Sequence, residues 1–243
     1  MNKIKVVEKT LDFGGRKLTL QTGKLAEQAT SAVLAQYGET VVLATVVAKP
    51  MTQDLGYFPL SVEYQERLYA GGKIKGSRWV KRDGRPSDEE ILTGRLIDRS
   101  IRPLFPKNYK KEVQVIIMVM SVDLENTPDM VAGVAVSAAL TASNIPWMGP
   151  VGIVKVGLKD DKYFVNPTDA DLAYSEMELV VSATKDAIVM IEDGSREVTE
   201  EQILAGIKFG QEQAQVLNGF INDFAKEVGN KKEELAPETK NQK

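Results

Sequence analysis

Residues 85–106 read RPSDEEILTGRLIDRSIRPLFP, a helix-forming stretch set between a run of hairpins and a long apolar strand. That order sets the fold class. Ser87 stands as N-cap with Glu90 three residues on, the spacing of a capping box, and Pro103 ends the helix about four turns later. At 100° per residue, Arg95, Arg99 and Arg102 fall at about 0°, 40° and −20°, whereas Leu96, Ile97, Ile101 and Leu104 spread from about 100° to 240°. Cations share one face and apolar side chains the other, with Ile91 and Leu92 breaking the separation. An ordinary amphipathic helix would look much like this, and Asp98 lies at pairing distance from Arg95 or Arg102. One carboxylate cannot neutralise three guanidiniums, however, so an outside anion is expected, and phosphate matches the guanidinium fork.

Working outward, residues 67–86 have no apolar periodicity but carry Gly71, Gly72, Gly76 and Gly84 among Lys73, Lys75, Arg78, Lys81, Arg82 and Arg85. A long, mobile, basic loop of this kind is commonly functional. Residues 67–111 hold thirteen Lys/Arg against five Asp/Glu in a chain whose formal net charge is −3. A basic patch on an acidic body is the electrostatic footprint of a polyanion site. Trp79 beside the cations suits a single strand, whose phosphates the charges track and whose bases stack on the ring. Charge and composition alone leave nucleic acid and a smaller anion equally open, and leave Trp79 free to be a ring tucked onto the body.

Further out, strands are expected over 4–12 and 16–22 around Gly14-Gly15, over 31–48 around Tyr37-Gly38-Glu39, and near 57–64. VQVIIMVM (113–120) reads as a buried strand, and Thr127-Pro128-Asp129 opens a small-residue helix closed by Asn144-Ile145-Pro146. Strands over 151–158, 162–165, 176–184 and 187–193 form two successive hairpins, and a long helix runs from Thr199, with Gln202 at the capping-box position, to about Val228. So many hairpins argue against a doubly wound parallel sheet and for an α+β sandwich of helices on mixed sheets. Residues 1–229 then form one domain, and 230–243, with nothing to bury, a disordered linker or the start of a helical domain.

The 243 residues, 43% of them apolar, suffice for a substantial core. The chain has no cysteine, which excludes disulfides and thiolate metal sites, and no histidine, which removes the commonest general base. Carboxylates, Lys, Tyr, metal-bound water or the substrate itself must carry any proton transfer or attack. MNKIKVVEKTLDFGG contains no apolar run long enough for a signal peptide or membrane span, so a cytoplasmic location is expected.

RDGRPSDEEILTGRLIDRSIRPLFP (82–106), QTGKLAEQATSAVLAQYGETVVLATVVA (21–48) and NTPDMVAGVAVSAALTASNIPWMGPVGIVKVG (126–157) together resemble the first ribonuclease-PH-like domain of the bacterial polynucleotide phosphorylase family. The resemblance runs from residue 4 to about 229. It implies a ribonuclease-PH-like fold, of the ribosomal protein S5 domain 2-like type. It further implies a homotrimeric, phosphate-dependent 3′-to-5′ exoribonuclease that releases nucleoside diphosphates, and that runs in reverse as a polymerase. Single-stranded RNA and inorganic phosphate are the implied substrates, Mg²⁺ the implied cofactor, and a second core domain of the same chain and an RNA-degradation complex the implied partners. The family's constriction loop falls on Trp79, Val80, Lys81 and Arg82, with Val80 replacing the second aromatic. Lys81, Arg82, Arg85 and Trp79 are thereby implied as RNA contacts. Arg95, Arg99 and Arg102 are implied to hold phosphate or the RNA 3′ end at the active site of the second domain.

The resemblance also marks what is missing. A catalytic domain of this family has a Gly/Ser-rich phosphate loop where this chain reads LENTPDMVAG (124–133), and later a pair of aspartates and a lysine for Mg²⁺. In YSEMELVVSATKDAIVMIEDG (174–194), Glu176, Glu178, Glu192 and Asp193 are expected to be solvent-facing strand and turn residues, and no metal ligands are assigned. Phosphorolysis is compatible with the missing histidine, because the attacking phosphate is already anionic and the protein mainly positions charge. Three readings follow: an enzyme's first core domain that does not catalyse alone, a stand-alone non-catalytic ring subunit that binds RNA, or an anion-binding module unrelated to RNA.

Overall fold

The computed structural model describes residues 5–51, 53, 56–74 and 85–235. Trp79, Lys81 and Arg82 lie outside the described residues; Arg85 lies within them. Two glycine-centred hairpins begin the fold. Strands β1 (Val7–Phe13) and β2 (Arg16–Thr22) pair in unbroken register from Val7 with Thr22 to Phe13 with Arg16. The turn needs left-handed backbone at both centres, which Gly14 (φ 56°) and Gly15 (φ 78°) supply. β3 (Ser31–Tyr37) and β4 (Thr40–Pro50) turn likewise at Gly38.

β5 (Leu60–Glu66) begins just after Pro59, a few residues later than expected, and runs parallel to β6 (Lys111–Ser121). Helix α1 (Asp88–Ile101) lies in the crossover between them. The sheet order β1-β2-β3-β4-β6-β5 therefore contains one parallel pair in an otherwise antiparallel sheet. The nearly all-apolar strands β4 and β6 are interior, as their sequence requires.

The second sheet contains β7 (Gly152–Lys159), β8 (Lys162–Val165), β9 (Met177–Ala183) and β10 (Ile188–Asp193). Its order is β10-β9-β7-β8, so the two expected hairpins join through β7 and β9. Between 165 and 177 a five-residue helix, α3 (Asp169–Ala173), interrupts the chain; too short for a periodic pattern, it rests on a Thr168–Asp171 capping box.

Helix α2 (Pro128–Ala142) is buried on nearly every side, touching β3, β4, β7 and the long helix α4 (Glu200–Val228). Close approach on the other face of the second sheet depends on small residues. A methyl on Gly210 would meet Val181 at 2.7 Å, and one on Gly152 would lie 2.8 Å from the Ala214 Cα.

Both ends of α2 are tied down. Beyond its C-terminus, residues 230–235 are docked where a loose linker was expected. Asn230 donates to the Ala142 carbonyl (2.8 Å), and Lys232 joins the Ser143 hydroxyl (2.7 Å) in donating to that of Leu140 (2.8 Å). Glu233 accepts from Asn144 (2.7 Å) and Lys111 (2.6 Å). Burial lowers the Lys232 ammonium to about 8.

Ahead of its N-terminus, Asp123 fastens the β6–α2 loop to the β3–β4 turn. It accepts from Glu39 N (3.0 Å), Thr40 Oγ1 (3.0 Å), Glu125 N (2.9 Å) and Asn126 N (2.8 Å). Burial alone would raise this carboxyl, but hydrogen bonds from Asn126, Glu125 and Glu39 outweigh it and hold the group well below the usual carboxylate range. A depressed pKa stabilises the fold above the unfolded-state value of about 4 and loses that contribution as the pH falls further. Asp123→Asn is expected to cost about 2 kcal/mol at pH 7. It should also flatten the acid limb of stability, read from urea unfolding between neutral and acid pH.

Candidate nucleic-acid interface

The helix that carries the arginines is positioned before any ligand arrives. Ser87 and Glu90 form the expected capping box, with Glu90 N to Ser87 Oγ at 3.1 Å and Ser87 N to Glu90 Oε2 at 2.7 Å. Leu96, Ile97 and Ile101 are buried, and Ser100 bridges to Ser182 of β9 at 2.7 Å. Gly94 lets the helix backbone settle onto β5, since even a methyl there would stand 3.3 Å from the Val62 carbonyl oxygen. Ile91 and Leu92, which broke the helical pattern, are exposed.

The three arginines share the exposed side but not one state. Arg102 is consumed by structure. Its Nε and Nη2 grip Asp98 at 2.8 and 2.7 Å, while Nη2 and Nη1 also donate to the carbonyls of Leu60 (3.0 Å) and Phe58 (3.3 Å). Arg99 pairs with Glu192 of β10, a carboxylate expected only to face solvent. Arg95 has no hydrogen bond or ion pair among the described residues and is exposed. The expected three-cation rack is thus neutralised twice from within, once by Asp98 and once from a strand ninety-three positions away.

Arg95 and Arg102 flank a groove of about 410 Å³ between α1 and β5, with Leu60, Val62 and Ile91 on its walls. Arg85 is exposed just ahead of the helix cap.

A larger cavity, about 850 Å³, opens at the N-terminus of α2 and includes Tyr64, Glu66, Asp129, Lys155 and Glu178. Lys155 is its centre, buried in β7 with its ammonium 2.9 Å from Glu178 and 3.3 Å from Asp129. Burial would lower the lysine's pKa; Asp129 and Glu178 outweigh it and raise the value above 10.5. Tyr64 is also pushed up, first by burial and then by Glu66, to which it donates at 3.3 Å, and by Asp129. Among the described residues no group of three or more carboxylates is arranged to hold a metal ion. Sequence reasoning passed over Lys155, although a lysine inside the apolar run VGIVKVG demands buried counter-charge.

Both raised groups carry the same sign. Their stabilisation is complete below their unfolded-state values of about 10 and is lost as the pH rises through the folded ones. Thermal stability is therefore expected to fall above about pH 10. Lys155→Met should cost about 2 kcal/mol near neutrality, because it strands two carboxylates, and both it and Tyr64→Phe should flatten that alkaline slope. Calorimetric melts from pH 7 to the alkaline limit measure this.

The layered α+β body with a helix–strand groove is the ribonuclease-PH-like fold. The model of the 3′ exoribonuclease family, domain 1, matches residues 14–146, and that of domain 2 matches residues 149–213. The chain belongs to this family, and the junction between the two matches falls between the two sheets. Among curated proteins it is 49% identical over 228 residues to a polyribonucleotide nucleotidyltransferase of Desulforamulus reducens, covering 94% of this chain and 31% of that protein. It is 51% identical over 224 residues to that of Pelagibacter ubique, covering 92% and 32%. The chain thus spans about a third of these relatives' length. A chain of the Archaeoglobus fulgidus exosome, solved with RNA bound to the active site, superposes with a TM-score of 0.64 at 18% identity over 89% of this chain and 87% of that one. Rice Rrp46 gives 0.65 at 16% over 93% and 96%. Among the described residues no helix is long and apolar enough to cross a membrane.

Proposed function

We propose that this chain is the first core domain of a polyribonucleotide nucleotidyltransferase, a phosphate-dependent 3′-to-5′ exoribonuclease that releases nucleoside diphosphates. It binds single-stranded RNA and lends arginines to an active site completed by a second core domain. The observation that carries the reading is the exposed arginine side of α1 in a chain half identical to enzymes of that name. Arg95 and Arg99 contact phosphate or the RNA 3′ end, and Arg102 holds the helix that presents them. Trp79, Lys81, Arg82 and Arg85 line the strand's path into the ring, a role that rests on sequence alone for the first three. The boundary near residue 229, the cytoplasmic location, the homotrimeric ring and membership of an RNA-degradation complex belong to the same proposal.

Inorganic phosphate is the nucleophile, so the domain's contribution is to bind and orient anions. Mg²⁺ supplies charge stabilisation for the developing phosphoryl group in such chemistry. The described residues do not fit it: Asp129 and Glu178 converge on the Lys155 ammonium, which holds the position a cation would need. In this reading the metal's ligands belong to the second core domain. The chain's high identity to polyribonucleotide nucleotidyltransferases favours this reading over a stand-alone ring subunit.

In a phosphorolysis assay with Mg²⁺, phosphate and labelled RNA, the 243-residue chain alone is expected to release no nucleoside diphosphate, and the longest native reading frame to release it readily. Release by the chain alone would overturn the division of labour. In the long form, Arg95→Ala is expected to lower turnover by about 10- to 100-fold with folding intact. Wild-type rates would return Arg95 to an ordinary surface role.

Lys81→Ala with Arg82→Ala is expected to weaken RNA binding and reduce the slope of log affinity against log salt by about 1.4. An unchanged slope would remove these two residues from the strand's path.

A further inference from the structure

Arg95 and Arg99 of α1 and Arg102 just beyond it differ in how firmly they are held, and the difference assigns a role to Glu192. Arg102 donates to four acceptors and would have to give up all four to turn outward. Arg99 is held at one point only, Nη2 to one oxygen of Glu192, and both side chains are 51% exposed. Four of its five donors are without a partner among the described residues. A single-point pair at this exposure is weak and easily screened. A phosphate offers two oxygens in the guanidinium plane and makes the stronger contact.

We propose that Glu192 sets the affinity of the interface by acting as an internal anion on Arg99, and that an RNA phosphate binds Arg99 by displacing it. The inference rests on the reading that α1 meets RNA. Until the carboxylate swings away, phosphate and Glu192 sit side by side as like charges, so Glu192 opposes every anion that approaches. An anion with one weak contact fails to displace it, whereas a bidentate phosphate succeeds. Glu192 thus filters ligands by geometry and charge without touching the RNA. The neighbouring Asp193 provides a matched comparison, since it carries the same charge on the same strand but bonds Ser195.

The test is fluorescence anisotropy of a short labelled single-stranded oligoribonucleotide titrated with the 243-residue chain at low salt, each variant first checked by circular-dichroism melting. Glu192→Gln is expected to tighten binding about two- to fivefold, the range an exposed ion pair supplies. Glu192→Ala, which leaves no acceptor, should tighten it at least as much. Asp193→Asn should give clearly less than either, and in an Arg99→Ala background the gain from Glu192→Gln should vanish. An equal gain from Asp193→Asn, or one that survives loss of Arg99, reduces the effect to net charge and overturns the inference. If Arg95→Ala and Arg99→Ala weaken binding while the Glu192 variants match wild type, the inference alone is lost. If neither arginine variant weakens binding, α1 is not the RNA face, and the reading and the inference fall together.

Discussion

Helix α2 has no polar face, and the rest of the fold is arranged to cover it. Val131, Ala135, Ala138 and Ala139 are inaccessible or nearly so, which places β3 and β4 on one side and β7 and α4 on others. The C-terminal carbonyls of α2 are met by donors of the protein itself. The Asp123 knot orders the loop entering it, and Asn230 and Lys232 take the carbonyls at its exit. The segment after α4 thus adds its donors to that of Ser143 at the exit of α2.

The surface of α1 obeys the opposite logic. Its cations are kept near water and graded by the number of acceptors each has inside the protein. Arg102 has become part of the frame, Arg99 is lightly tethered, and Arg95 is open among the described residues. The cavity at the head of α2 shows the other extreme. There a single lysine is held between two carboxylates, Asp129 and Glu178, so its cation is fully engaged and the cluster keeps a net negative charge. The two clusters thus differ in net charge, in burial and in the completeness of their pairing.

What the sequence made legible was local. The Ser87–Glu90 and Thr199–Gln202 boxes, the Gly14-Gly15 turn and the apolar strands each depend on residues within a few positions, and the structure shows them where they were expected. The α+β class followed from counting hairpins. The unequal fates of the arginines were not legible, because Arg99 finds Glu192 ninety-three positions away and Arg102 reaches back forty-two positions to Leu60. The Lys155 network and the docked 230–235 segment were hidden for the same reason. No periodicity records which distant loop brings a counter-charge.

The outer rim of β5 shows what Arg102 achieves besides orientation. In a parallel pair alternate residues turn their backbone groups away from the neighbouring strand, here those of Leu60, Val62 and Tyr64. On that rim the Leu60 carbonyl is taken by Arg102, Gly94 presses over the Val62 carbonyl, and Glu90 accepts the Glu66 amide at 2.8 Å. A helix thereby occupies the rim that a further strand would otherwise use. This one of the sheet's two terminal strands is covered against edge-to-edge sheet growth, so the same guanidinium that fixes α1 also protects the chain from aggregating through β5.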